Sequence, residues 1–201
     1  MRLIWFYCDL LLNWFFRFIY GLEVYGIKNI PKKGPFIVAA NHRSNWDPPV
    51  LGASIFIKEV NFISKKSLFR NKLFALLISY FNAFPVDTQG FDREAIKKFI
   101  ELLKMGKVVV IFPEGTRSRT GVFLPPKNGI GYVAMKMKVP VVPALIWGTN
   151  QPMIYHILRI RPYFVAFSKP LFPPDVPLSS KSAQEFSEKI MDEIKRLALW
   201  K

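Results

Sequence analysis

Phe36-Ile37-Val38-Ala39-Ala40-Asn41-His42-Arg43-Ser44-Asn45-Trp46-Asp47 is the stretch that decides the fold. Its first five residues form an unbroken apolar run, preceded by the turn signal Pro31-Lys32-Lys33-Gly34-Pro35. A strand with one face in water alternates apolar and polar side chains. A strand covered on both faces does not, and that is the habit of parallel sheets packed between helices. The run therefore predicts a buried parallel strand that delivers residues 41–47 at its carboxyl end.

The same signals recur on both sides of it. Residues 61–64, 83–86, 107–112, 139–146 and 163–167 read as further strands, and 24–33 as a strand followed by a turn. Between them, residues 48–57, 68–82, 94–105 and 130–138 read as helices. In the third of these Ile96, Phe99, Ile100 and Leu103 share a face, and Gly106 closes it. A final helix carries Phe186, Ile190, Ile194 and Leu197 in one stripe behind a serine-rich cap near Ser180. Strands alternating with helices in this way predict an α/β fold: one domain with a mostly parallel central sheet flanked by helices. Loops that do chemistry gather at the carboxyl ends of such strands.

Residues 3–20 stand apart. They are mostly apolar, but Arg2, Asp9, Asn13 and Arg17 recur at spacings that place them along one edge of a helix. A polar edge on an otherwise aromatic and aliphatic helix suits a segment lying in a membrane interface. A helix packed on the domain with its stripe in water, or a true span, remain the other uses of such a segment. No small-residue cleavage site follows, which argues against a secretory peptide. The expected organisation is thus an N-terminal interfacial helix over 1–22 and the α/β domain over 23–201.

Composition agrees with a lipid setting. The chain has 201 residues, 51% of them hydrophobic, with 19 Phe and 5 Trp. Its 29 Lys and Arg against 14 Asp and Glu leave a net charge of +15, which favours an anionic partner such as a membrane surface, an acidic carrier or nucleic acid. The single cysteine, Cys8, excludes an intrachain disulfide.

Two loops carry candidate chemistry. In the first, His42 and Asp47 lie five positions apart. A carboxylate on one imidazole nitrogen fixes the tautomer and leaves the other nitrogen to take a proton from a hydroxyl. No Gly-x-Ser-x-Gly elbow supplies a serine, so that hydroxyl can belong to the substrate. The second loop is Phe112-Pro113-Glu114-Gly115-Thr116-Arg117-Ser118. Gly115 permits a sharp turn and close approach of a ligand, Arg117 offers a planar fork for phosphate, and Thr116 adds a hydroxyl. Each loop alone also fits an ordinary turn with an ion pair. Taken together they point to acyl transfer onto a phosphorylated alcohol. His156, among Ile154, Tyr155 and Ile157, reads as structural. No His-x-x-x-His, cysteine pair or carboxylate cluster argues for a metal, and no nucleotide-type phosphate loop is present.

These motifs resemble the glycerolipid acyltransferase family, of the lysophosphatidic acid acyltransferase type. Asn41, His42 and Asp47 match its Asn-His-x-x-x-x-Asp motif, and residues 112–118 match Phe-Pro-Glu-Gly-Thr-Arg-Ser in full. Lys65, Lys66 and Leu68 match a Lys-Lys-x-Leu segment, Lys127 and Gly129 a Lys-x-Gly element, and residues 139–143 Val-Pro-Val-Val-Pro. The second motif departs: Phe84-Pro85-Val86-Asp87-Thr88 ends on threonine where the family often has arginine.

The resemblance implies that residues 23–201 are the acyltransferase domain, with His42 the general base and Asp47 its orienting acid. It implies direct attack of the acceptor hydroxyl on an acyl thioester, without an acyl-enzyme, cofactor or metal. Glu114 and Gly115 would seat the glycerol, while Arg117, with Thr116 and Lys65, would bind its phosphate. The implied donor is an acyl carrier protein or acyl-coenzyme A, and the acceptor is lysophosphatidic acid. The implied location is the cytoplasmic face of the cell membrane, peripheral or monotopic, with no nucleic acid partner. Leu73, Phe74, Leu76 and Leu77 would line an acyl groove or pack in the core. The competing readings are another lipid acceptor for the same chemistry, or a basic membrane- or nucleic-acid-binding module without catalysis.

Overall fold

The computed structural model describes residues 3–55, 59–80, 82–86, 91–158, 160 and 163–199. Among them, seven strands form one sheet: β1 (Leu22–Tyr25), β2 (Ile37–Ala40), β3 (Val60–Lys65), β4 (Ala83–Val86), β5 (Val108–Ile111), β6 (Val141–Trp147) and β7 (Tyr163–Phe167). Their order across the sheet is β1-β7-β6-β2-β5-β3-β4. The five strands β2 to β6 run parallel to one another. β7 runs antiparallel to β6, and β1 parallel to β7, so these two strands are reversed.

Helices cover both faces. α4 (Phe91–Lys104), α5 (Gly129–Met137) and α7 (Ser180–Ala198) close a core with Ile37, Ala39, Val109 and Ile111. The alternate residues of the same strands, Val38, Ala40, Val108 and Val110, enter a second core with residues of α1 (Leu3–Phe18) and α2 (Asp47–Ser54). Both sides of β2 are therefore apolar because both sides are covered, as the absence of alternation in its sequence requires. The 3₁₀ turns over Ile27–Asn29 and Lys66–Phe69, and helix α3 (Lys72–Tyr80), complete the frame together with a short helix α6 (Met153–Ile157).

Two local details explain how unusual residues are accommodated. Pro143 sits inside the central strand β6, where a missing N–H normally costs a ladder bond. It lies beside the end of β7, and its carbonyl still receives the Ser168 N–H just past that end, at 2.9 Å. Gly131 in α5 lies so close to α7 that an added Cβ would overlap the Ala183 carbonyl oxygen. There its N–H donates to Ser187 Oγ at 3.0 Å.

Most expected elements are present, with shifted limits. The segment read as 24–33 is the short strand β1 and a 3₁₀ turn, and α4 begins at Phe91. Helix α7 starts on a capping box between Ser179 and Ser182. The short α6 has no counterpart in the sequence reading. The N-terminal helix also differs from expectation: Asn13, placed on its water-facing stripe, is buried. Its Nδ2 donates to the Ala53 carbonyl at 2.7 Å, in the last turn of α2, where helix carbonyls lack partners of their own. Phe16 is buried beside it, while Tyr7, Leu10, Leu11, Trp14, Phe15 and Phe18 point outward. The side chain of Asp9, and Arg2 altogether, lie outside the described residues. Among the described residues no helix is long and apolar enough to cross a membrane.

Candidate active site

The strands β2, β3, β5 and β6 end together, and the two motif loops leave from β2 and β5, which are neighbours. At the end of β2 the Asn41 side chain takes over the ladder. Its Nδ2 donates to the Ile146 carbonyl at 3.0 Å, and its Oδ1 accepts the Ile146 N–H at 2.8 Å. The next residue, His42, therefore projects from a pinned strand end.

Asp47 opens α2 and is fully buried. One of its oxygens, Oδ2, accepts three hydrogen bonds: from His42 Nδ1 at 2.8 Å, from the Arg43 N–H at 2.6 Å and from the Ser44 N–H at 2.7 Å. The two backbone donors hold the carboxylate in place. Because a carboxylate only accepts, Nδ1 carries the proton and Nε2 is left with its lone pair. The imidazole stacks on Phe112, with ring centroids 4.1 Å apart and planes 18° from parallel. Its side chain keeps 18% of its surface exposed.

The second loop is tied to the first through its backbone. The His42 N–H donates to Glu114 Oε1 at 2.9 Å, and the His42 carbonyl accepts the Ser118 N–H at 2.8 Å. The other Glu114 oxygen accepts the Leu124 N–H at 3.0 Å. Glu114 is buried, and burial pushes its carboxyl above the ordinary range, opposed by the two backbone hydrogen bonds and by His42 and Arg43. Both of its oxygens are thus engaged with the protein itself. Each oxygen has accepted one bond and keeps a further acceptor site.

Gly115 has φ +66°, a conformation that L side chains rarely adopt, and a Cβ there would lie 2.8 Å from Lys127 Cε. The stem of Lys127 thus packs over the turn, and its backbone N–H donates to the Pro113 carbonyl at 2.9 Å. Thr116 and Arg117 are exposed, and Arg117 Nη1 donates to Asn45 Oδ1 at 2.8 Å, bridging the two loops. Lys65 closes β3 at the same end of the sheet, but its side chain lies outside the described residues. So do Asp87 and Thr88, and the side chains of Leu73, Phe74 and Leu77; Leu76 is exposed. His156 is buried away from the dyad, its Nε2 donating to the Gly148 carbonyl at 2.9 Å.

Arg43 does not stand out in the sequence. Its guanidinium lies over both Phe123 (4.9 Å) and Trp147 (4.6 Å). Burial draws its pKa down, while Glu114 and Asp47 pull it back up. The contact clips the first loop to the end of β6 and to the segment that follows the second motif. No spacing rule would have found it, because Phe123 and Trp147 lie eighty and more residues away.

A family model described as "Acyltransferase" matches residues 21–147. The 1-acyl-sn-glycerol-3-phosphate acyltransferase of Bacillus subtilis (strain 168) is 38% identical over 130 residues, covering 65% of this chain and 64% of that protein. The protein of the same name from Streptococcus pneumoniae is 30% identical over 165 residues, covering 81% of this chain and 60% of its own length. The chain therefore spans a little under two thirds of these relatives. The crystal structure of the 1-acyl-sn-glycerophosphate (LPA) acyltransferase PlsC from Thermotoga maritima superimposes with a TM-score of 0.71 at 28% identity. The superposition covers 98% of this chain and 84% of that one.

Proposed function

The chain belongs to the acyltransferase family, and on that premise we propose that it moves a fatty acyl group from a thioester to the free hydroxyl of 1-acyl-glycerol-3-phosphate, giving phosphatidic acid. The observation that carries this reading is the occupied Nδ1 of His42: with Asp47 on one nitrogen, Nε2 is a base. The acceptor oxygen attacks the thioester carbonyl while Nε2 takes its proton. The tetrahedral adduct then expels the thiolate, which leaves as a thiol with the proton held by the imidazolium. Asp47 stabilises the transient positive ring. No protein hydroxyl or thiol becomes acylated in this sequence of steps.

Arg117 and Lys65 receive the acceptor phosphate, and Thr116 adds a hydroxyl beside them. Glu114 holds His42 and the loop beyond it, and with Gly115 it seats the glycerol of the acceptor. The exposed aromatic face of α1 rests on the lipid surface from which the acceptor is drawn, at the cytoplasmic face of the membrane. The donor is either an acyl carrier protein or acyl-coenzyme A; both are acidic, which suits a chain of charge +15.

The test is acyl transfer by the purified chain, with each donor in turn, to lysophosphatidic acid and to a panel of other lysolipids, the product identified by mass spectrometry. Phosphatidic acid formed by the wild type and lost in His42→Ala, with folding intact, is the expected result. Undiminished turnover in His42→Ala sinks the mechanism. Preference for an acceptor without phosphate sinks the substrate assignment.

A further inference from the structure

The reversed strands bring a second apolar surface to the catalytic end of the sheet. β2 to β6 end there, and β7 and β1 begin there, because Phe164 pairs with Trp147 and Leu22 with Tyr163. The end of α1 arrives at this edge with Phe18 (61% exposed) and Ile19 held outward. The connection from β6 to β7 lies at the same end. It exposes Ile154, Ile157, Leu158 and Ile160, the last two to 60% and 61%.

This connection is built to hold those side chains out. His156 is its inward peg, buried and bonded to the Gly148 carbonyl. The Leu158 N–H donates to the Ile154 carbonyl at 3.0 Å, and the Ile160 N–H to the Tyr155 carbonyl at 2.8 Å. An ordered turn anchored inward by a histidine, with four aliphatic side chains turned outward, marks a contact surface. In sequence, Arg159 and Arg161 interleave with them. Aliphatic tips mixed with arginines match an anionic bilayer, which takes the tips into its acyl boundary and the cations at its headgroups. A second copy of the chain carries the same net charge of +15 and is repelled, whereas an anionic bilayer is attracted.

We propose that residues 153–160 enter the anionic lipid interface as a second contact beside α1, so that two points of attachment turn the end of the sheet that carries the His42 loop toward the bilayer. One point of contact leaves the sheet free to swing; two fix its end toward the membrane, where a lipid acceptor can reach Nε2 without leaving its leaflet. The proposal rests on the reading that the acceptor is a lipid.

The experiment uses the full chain with Cys8→Ser, bearing a polarity-sensitive fluorophore at Leu158→Cys, at Phe18→Cys, or at Lys189→Cys on the outer face of α7. Vesicles of phosphatidylglycerol and phosphatidylcholine should blue-shift the first two labels and leave the third unchanged. A shift at position 18 with none at 158 overturns the proposal. In parallel, Ile157→Ser with Leu158→Ser should lower turnover of a vesicle-embedded long-chain acceptor at least ten-fold. Turnover of a short-chain, monomeric acceptor should stay within two-fold. Equal loss on both acceptors, or a change of oligomeric state in place of vesicle binding, also overturns it. Absence of wild-type turnover on both acceptors would instead reject the catalytic reading, with the fluorescence result standing by itself.

Discussion

Glu114 holds His42 by its backbone: the carboxylate accepts the His42 N–H at 2.9 Å, while four residues further on the Ser118 N–H caps the His42 carbonyl at 2.8 Å. Both main-chain groups of His42 are therefore fixed by the other motif. Its ring is fixed separately, by Asp47 and Phe112. Main chain and side chain have independent supports, and they can be broken independently.

Breaking the ring support is the cleaner kinetic test. Asp47→Asn offers an amide in place of the carboxylate, favours the wrong imidazole tautomer and removes the charge that stabilises the imidazolium. It should lower kcat by about 10²- to 10⁴-fold with a much smaller change in either KM. Steady-state rates with donor and acceptor varied separately check this. A purely structural Asp47 would instead show a lowered Tm with kcat preserved in the folded fraction.

Breaking the main-chain support should appear in stability. Glu114→Gln can keep one accepted bond, but its NH₂ must face a backbone N–H, leaving a buried donor unsatisfied at a cost of about 1–3 kcal/mol. The pH dependence adds a sign. Burial raises the folded-state pKa of Glu114 above 4.5, so between the unfolded and folded values the native state binds more protons than the unfolded one. Stability from this group is then present below the unfolded pKa and declines as pH rises through the folded one. The difference between wild type and Glu114→Gln in chemical denaturation should therefore shrink from acidic toward neutral pH. A difference that grows with pH contradicts the assignment.

Arg117 should report on the acceptor. Arg117→Ala removes both the phosphate fork and the bridge to Asn45, and it should raise the acceptor KM by about ten-fold or more, the equivalent of one lost charge-assisted hydrogen bond. Arg117→Lys should recover part of that loss. An unchanged acceptor KM in initial-rate measurements would remove Arg117 from the phosphate site.

Far from the chemistry, Gly131→Ala tests the packing of α5 on α7. The added methyl would overlap the Ala183 carbonyl, so the helices must separate, at about 1–3 kcal/mol for an overpacked contact. A thermal melt should move down by several degrees, while kcat at a temperature where the variant is folded stays near wild type.

What could be read from sequence divides along physical lines. The parallel core strands were legible because double-sided burial removes alternation, and the dyad because both its members sit on one short strand-to-helix turn. The partners of Glu114 were not legible, since backbone N–H donors carry no residue identity. Asn13 was misplaced for a related reason: periodicity assigns a polar residue to water, yet its partner is an orphaned carbonyl at the end of a helix forty positions away. Helix α6 was missed because five residues with a mixed pattern show no period. Reversal of β1 and β7 was invisible because an apolar run does not state its direction.

The pairing of β1 with β7 has a consequence for how the molecule is made. A strand near the start of the chain cannot take its place until one near the end has left the ribosome, and such long-range closure is slow. During that interval the aromatic face of α1 is available while the sheet is still incomplete. The order of synthesis thus leaves α1 free to meet a surface before β1 is locked into the sheet.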